Sequence, residues 1–481
     1  MPALSASRAR LVLPLLCGAA LGACAVGPNY VRPTTPAPAG FKEAQGWSVA
    51  APADTLDRGE WWTLFNDPVL NDLERKVLVS NQTLAASEAA YREARAVVRG
   101  QRAALFPTVS LDGSGSRAKS QGAGGASGGT SNSYKVDIGA TWEIDVWGRI
   151  RRTVESAKAS AQASEADLAG ARLSAQGELA ADYLQLRETD AEIALLDATV
   201  QAYARALEIT QNRFQAGVAA KTDVLQAQTQ LANAQAQRVG LDQQRAQLEH
   251  AIAVLVGQAP ADFSIAAQPQ WSQVVPDVPA VVPSQLLQRR PDIAGAERRV
   301  AAANAQIGVA EAAYFPDLSL TGTYGYGGSS LSRLFESSAS FWSLGGALAE
   351  TLFDGGARGA KTAQAKATYD QTVAQYRQTT LAAFQSVEDQ LAASRVLAQQ
   401  FDLRKQASAA ADEAERLSLN QYRAGQIAYS AVITTQTAAL TARVALAQAA
   451  RNRQTTAVAL IQALGGGWQA APPDGAVPRR S

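Results

Sequence analysis

The residues able to do chemistry are few. The 481-residue sequence carries two cysteines, Cys17 and Cys24, one histidine, His250, and a single methionine, Met1. A Cys/His metal centre with its usual ligand spacing cannot be assembled from that set. His250 sits in a helical stretch rich in Gln, Glu and Arg, where it reads as a solvated or interhelical side chain rather than a general base. The one Gly-x-Ser-x-Gly match, Gly125-Ala126-Ser127-Gly128-Gly129, lies inside a low-complexity glycine-rich loop and not at a strand-to-helix turn, so it is no nucleophile elbow. The glycine-rich run 122–129 lacks the lysine, serine or threonine spacing of a phosphate loop, and it neither ends a strand nor opens a helix. Carboxylates are scattered along helix faces, where solvation and intrahelical pairing account for them. The expectation is a protein that is not an enzyme, with no catalytic residue, no metal and no cofactor.

One cysteine has a reactive setting. Arg8 and Arg10 precede the apolar run Leu11 to Leu21, which ends in Leu21-Gly22-Ala23-Cys24. This is the layout of a secretory signal, residues 1–23, too short to span a membrane. The four residues also resemble a bacterial lipobox, in which the cysteine is acylated, for instance with palmitate, and becomes the new N-terminus. Cys17 leaves with the signal, so no disulfide can form. By analogy with bacterial lipoproteins, Ala25 rather than aspartate after the cysteine favours the outer membrane. No other segment reaches about 18 continuous apolar residues, so no transmembrane helix is expected. The formal net charge is +1 with both signs interspersed, which argues against a nucleic-acid partner.

With so little chemistry the chain must act through its architecture, and that architecture is written twice. Ala104-Leu105-Phe106-Pro107 returns as Ala313-Tyr314-Phe315-Pro316, and Phe214-Gln215-Ala216-Gly217 as Tyr422-Arg423-Ala424-Gly425, roughly 208 positions later. Residues 67–257 form the first repeat, with a β-hairpin at about 108–146, and 284–464 the second, with a hairpin at about 317–352. A strap, 24–66, is punctuated by Pro28, Pro33, Pro36, Pro38 and Pro52 and reads as extended rather than packed. The proline-rich stretch 258–283 links the repeats, and 465–481 is a loose tail.

Within the first repeat a helix is expected from Val69 to Phe106, stopped by Pro107. Val109 to Ser114 and Lys135 to Trp142 alternate apolar and polar, with Val136, Ile138, Ala140 and Trp142 on one face. Leu318 to Tyr324 and Phe341 to Leu348 match them. The intervening loops, Gly113 to Ser133 and Gly325 to Ser340, are poor in large apolar residues. A soluble sheet would bury the apolar face under helices. Strands of about ten residues with Trp142, Trp147 and Trp342 near their ends also fit a lipid-facing band with aromatic girdles. In a membrane, four strands would have to borrow more from copies of the chain, because the smallest bacterial barrels have about eight and open edges leave backbone groups unsatisfied.

Ile150 to Ala216 and Arg358 to Ala424 contain no proline, and at about 1.5 Å per residue each makes a helix of roughly 100 Å. Ile193, Leu196, Val200, Tyr203, Leu207, Thr210 and Phe214 recur at spacings of three and four, as do Leu403, Ala407, Ala410, Ala414 and Leu417. Both runs predict coiled-coil seams. Gly217 and Gly425 suit left-handed helix caps, and return helices follow over Thr222 to Val256 and Tyr429 to Leu464.

The segments Trp61 to Pro68, Trp142 to Arg149, Arg289-Arg290-Pro291-Asp292 and Leu352 to Gly356, with the lipobox, resemble the outer membrane factors. More narrowly, they resemble the NodT-type RND efflux lipoproteins of the TolC superfamily. The resemblance implies a mostly α protein with transmembrane β-structure. It would be a TolC-like homotrimeric duct whose three times four strands make a twelve-stranded outer-membrane barrel, continued by a long periplasmic α-helical barrel with an equatorial domain. It implies a passive exit duct for drugs or other toxic small molecules, driven by an inner-membrane RND-type pump through a periplasmic adaptor, or membrane fusion, protein.

Carried over from the family, the gate and adaptor contact fall on Phe214, Gly217, Thr222 and Asp223 in the first tip. In the second they fall on Tyr422, Arg423, Gly425 and Tyr429. Each glycine, and Phe214, also reads simply as hairpin capping and packing, so the functional weight rests on Asp223 and Tyr422. Relatives usually carry acidic residues shortly after the second glycine, where this chain has Ala431 and Thr434. The expectation is that Tyr422, Arg423 and Asp223 hold the aperture instead, through an interhelical hydrogen bond or ion pair. Two alternatives stand beside this one, a duct for type I protein secretion and a structural coiled-coil envelope lipoprotein. The two amphipathic hairpins argue against the second.

Overall fold

The computed structural model describes residues 25–35, 38, 40–44, 58–119, 129–276, 278 and 290–466. The signal segment, Cys24, Arg289 and the tail from 467 onward lie outside the described residues. The chain divides into two compact units, each drawing on both repeats. One is built from the described parts of Met1–Thr34, Ala90–Glu165 and Gly295–Arg377, the other from those of Thr35–Ala89, Ala166–Ala294 and Gln378–Ser481.

The duplication is exact in the lengths of three helix pairs. Helices α1 (Pro68–Ser80) and α2 (Gln82–Ala103) lead into strands β1 (Thr108–Lys119) and β2 (Thr130–Ile144), then α3 (Arg149–Gln215) and α4 (Lys221–Leu255). The second repeat gives α5 (Pro291–Ala312), β3 (Asp317–Gly328), β4 (Ser340–Ala349), α6 (Ala357–Arg423) and α7 (Tyr429–Ala463). α2 and α5 are both 22 residues, α3 and α6 both 67, α4 and α7 both 35. No helix among the described residues is long and apolar enough to cross a membrane.

Four expectations are corrected. The helix expected over Val69 to Phe106 is two helices, because Asn81 is extended (φ −67°, ψ 121°). Its Nδ2 donates to the Leu255 carbonyl at 2.8 Å, and its Oδ1 caps α2 by accepting from the Leu84 N–H at 3.0 Å. The strands outrun the apolar alternation, pairing from Thr108 opposite Thr141 to Lys119 opposite Thr130. Backbone ladder bonds continue through Gly113 to Lys119 without large apolar side chains. The strap ends in a 3-10 helix (Arg58–Phe65) that buries Trp61, Trp62 and Phe65 as core. On α6, Leu403 and Leu417 are exposed, at 64% and 46%, and Ala407, Ala410 and Ala414 are exposed too. The face turned inward carries Ser408, Ala411, Glu415, Leu419 and Tyr422, one residue, or about 100°, around the helix.

In the first unit the strands form one antiparallel sheet in the order β1-β2-β3-β4. The repeats meet at its centre, where Ile144 on β2 pairs with Leu318 on β3. Register puts Val109, Leu111, Ile138, Ala140, Trp142, Leu320, Tyr324, Trp342, Leu344 and Leu348 on one face, and most are exposed. Ser110, Asp112, Lys135, Asp137, Thr321, Thr323 and Ser343 line the other. An apolar face left open opposite a polar one is the pattern of a sheet between lipid and water. Aromatic rings gather at both ends of the strands. Tyr326 packs on Tyr324 and Phe335 at one, and at the other the Trp142 indole donates to the Leu105 carbonyl at 3.0 Å.

The described start of the strap is fastened in the same unit. The Val26 N–H donates to the Trp147 carbonyl at 2.9 Å, and Arg152 donates to the carbonyls of Val26 and Gly27 and to Asn29 Oδ1. Gly27, at φ 92°, crosses α5 at Gly308 so closely that a Cβ there would lie 2.4 Å from the Gly308 Cα. Asn304 Nδ2 then donates to the Pro28 carbonyl at 2.9 Å, and Tyr30 packs on Ala301 and Ala302.

In the second unit the inter-repeat segment is held by buried charge. Arg187, 2% exposed, pairs with Asp190 at 2.9 Å and donates to the Ala266 carbonyl at 2.8 Å and the Tyr183 hydroxyl at 2.9 Å. Arg245 reaches Asp190 from α4 at 2.7 Å and the Ile265 carbonyl at 2.6 Å. Gln454 on α7, fully buried, accepts from the Trp271 indole and donates to the Ser272 and Val274 carbonyls.

Candidate functional site

The chain's two helical hairpins end in the same turn. α3 stops at Gln215 and α6 at Arg423, followed by Gly217 at φ 74° and Gly425 at φ 77°. The Gly217 N–H donates to the Phe214 carbonyl and the Val218 N–H to that of Arg213, both at 2.9 Å. Gly425 to Tyr422 and Gln426 to Gln421 repeat those bonds at the same length. These paired bonds satisfy carbonyls that a helix end otherwise leaves open, and the geometry needs a left-handed residue that glycine supplies without steric cost.

A small core ties the two tips together. Tyr422 and Tyr429 are buried with Ala206, Ala227 and Val432, bordered by Leu207, Leu419 and Ile433. The tyrosine rings lie 5.2 Å apart. The Tyr429 hydroxyl is pushed up to about 12 by burial first, then by Tyr422, Tyr203 and Asp223, so it stays neutral and acts as a packing group. The Tyr422 hydroxyl points to Thr210 Oγ1 at 3.4 Å, a long contact, while Thr210 donates to the Ala206 carbonyl at 2.8 Å.

The strongest polar link between the tips is one the sequence reading missed. The Arg213 guanidinium lies 4.8 Å from the centre of the Tyr422 ring and donates to the carbonyls of Tyr422, at 3.1 Å, and Arg423, at 3.3 Å. A cation on a ring face and on the carbonyls of a helix C-terminus is favourable twice over. The first repeat has arginine here and the second has Gln421, so only one of the two tips can make this clasp.

The structure places the expected residues as follows. Tyr422, Tyr429, Gly217 and Gly425 join or cap the shared core. Phe214 is 43% exposed and closes no seam. Arg423 is exposed, Thr222 is exposed and Asp223 is half-buried in the first turn of α4. Within one chain Asp223 and Arg423 make no side-chain ion pair or hydrogen bond among the described residues, and the polar contacts between the tips are those of Tyr422 with Thr210 and of Arg213 with the end of α6. His250 is exposed on α4, and no group of three His, Cys, Asp or Glu among the described residues could hold a metal.

Comparison with known proteins agrees with this geometry. The family model for outer membrane efflux proteins matches residues 73–258 and 282–466, once on each repeat. The toluene efflux pump outer membrane protein TtgC of Pseudomonas putida is 32% identical over 454 residues, covering 93% of each chain. Outer membrane protein OprJ of Pseudomonas aeruginosa is 31% identical over 461 residues, 95% of this chain and 96% of its own. Among solved structures, the outer-membrane channel OprN superimposes with a TM-score of 0.87 at 32% identity, over 93% of this chain and all of the other. With both repeats matched and almost the whole length aligned, the chain belongs to the outer membrane efflux protein family, as a TolC-like outer-membrane channel of an efflux system.

Proposed function

We propose that the chain works as a homotrimeric passive duct, twelve strands in the outer membrane above a periplasmic helical barrel, fed by an inner-membrane RND-type pump through an adaptor protein. The observation that carries this is the sheet. Its outer strands β1 and β4 have no partner on their far sides among the described residues, and one face is apolar and open. Edges of that kind in lipid require closure, and further copies of the same four strands supply it without new sequence. An acyl anchor on Cys24 is supported by the sequence Leu21-Gly22-Ala23-Cys24, and the following residue, Ala25, lies beside Gly148 just beyond β2. Energy comes from the pump. The tips are the aperture and the adaptor contact, with Arg213 and Tyr422 holding the closed state.

The experiment is reconstitution. Purified protein should migrate as a heat-dissociable trimer and give discrete conductance steps in planar bilayers, and a photo-crosslinker at Phe214 should capture the adaptor in cells. Protein that stays monomeric and gives no conductance would overturn the duct. A silent crosslinker in a conducting protein would overturn only the adaptor contact.

A further inference from the structure

α2 carries an arginine stripe with no counterpart in the rest of the chain. Arg92, Arg95, Arg99 and Arg102 recur at spacings of three, four and three, so they lie on one side of the helix. All four are exposed, and none pairs with a carboxylate among the described residues. Like charges at these spacings repel one another, so the stripe is a local cost that calls for an anion.

The second repeat shows which way the stripe faces. α2 and α5 are equal in length and run into the matching sequences ending in Pro107 and Pro316. Counted back from those prolines, the four arginines correspond to Ala301, Asn304, Gly308 and Glu311. The strap lies on that side of α5, with Tyr30 on Ala301, the Pro28 carbonyl on Asn304 and Gly27 on Gly308. Among the described residues no strap lies on the same side of α2, which has arginines where α5 has Ala301, Asn304, Gly308 and Glu311. It is an outer surface, open in one repeat and covered in the other.

We infer that this stripe docks on the anionic phospholipid headgroups of the leaflet that faces the periplasm. α2 ends one short turn before β1, where Phe106 is 69% exposed and the lipid-facing residues Val109 and Leu111 begin. Headgroup layers are about 5–8 Å deep. At about 1.5 Å of rise per residue, Arg102 lies about 6 Å from Phe106, within such a layer, Arg99 lies about 10 Å away, where its long side chain reaches the layer's edge, and Arg92 lies about 15 Å beyond Arg102. The guanidinium fork matches phosphate in charge and geometry. The inference rests on the outer-membrane position of the sheet.

The test uses the full-length protein in neutral detergent, titrated with phosphatidylglycerol or phosphatidylcholine, with bound lipids counted by native mass spectrometry. Wild type should prefer phosphatidylglycerol. Arg99→Gln with Arg102→Gln should weaken that binding by about 25-fold, about fivefold per arginine, and leave phosphatidylcholine unchanged. Arg92→Gln with Arg95→Gln should cost less than about fivefold. The Arg99→Lys, Arg102→Lys variant keeps the charge and should keep most of the preference, which separates charge loss from misfolding. No preference in wild type overturns the inference. So does an equal loss from both pairs, which would indicate an acidic chain lying along the whole stripe as the strap lies on α5. Wild type that fails to conduct at all counts against the duct, whereas conducting protein without lipid preference counts against the lipid contact alone.

Discussion

Arg213 of the first repeat stacks 4.8 Å from the Tyr422 ring centre and donates to the Tyr422 carbonyl at 3.1 Å, crossing from one tip to the other. The contact is worth about 2 kcal/mol from its cation–π and charged hydrogen-bond components. Arg213→Gln should therefore raise the open fraction of reconstituted channels about 30-fold in single-channel recordings. Conductance unchanged from the parent would remove Arg213 from the gate.

Asp223→Ala is expected to leave conductance close to wild type, because its carboxylate has no hydrogen-bond or ion-pair partner among the described residues of the chain. A marked opening of the channel in this variant would locate its partner in a neighbouring protomer.

Gly425→Ala forces a side chain into φ 77° and should cost about 1–2 kcal/mol, read as a lower unfolding midpoint. Gly217→Ala should cost a similar amount, since the two turns share their bonds. A neutral result at either would mean that the turn can be rebuilt without a left-handed residue.

Arg187→Met strands Asp190 beside one remaining arginine and removes the hold on the Ala266 carbonyl. Breaking a buried pair in this way costs about 3–5 kcal/mol. Limited proteolysis should then cut within 258–276 well before the helices, and wild-type resistance there would show that the linker is held by other contacts.

Glu74 is fully buried, with no hydrogen-bond partner among the described residues for either carboxyl oxygen, and burial pushes it up to about 9. The folded state thus keeps a proton that the unfolded state gives up near pH 4.5. Stability from this group is full below that pH and declines as pH rises toward 9. Glu74→Gln should therefore gain on wild type in thermal midpoint between pH 5 and 9, and a constant difference across that range would contradict the assignment.

Much of this was legible in the sequence. Proline-free runs closed by glycine gave α3, α4, α6 and α7 to within a residue or two, because helix length and caps are local properties. The two hairpins were visible for the same reason, as period-two alternation. The break at Asn81 was not, since asparagine can sit within a helix and its partner, the Leu255 carbonyl, is remote in sequence. The α6 seam was misplaced by one residue because alanine is spread around that helix, and the inward face carries Ser408 and Glu415 rather than a distinct apolar row. Arg213 gave only the signal of a basic residue near a helix end. Such a residue ordinarily serves its own helix, yet here it serves the helix end of the other repeat.

The pairing of Ile144 with Leu318 at the centre of the sheet also sets the order of biogenesis. The first hairpin is complete long before its neighbour in the sheet exists as chain. Until the second hairpin arrives, β2 has an unsatisfied edge and the first half of the lipid-facing surface stands in water. Contacts so distant in sequence form slowly, and exposed edges of this kind invite aggregation. The slow step in completing this sheet is therefore the meeting of the chain's own two halves.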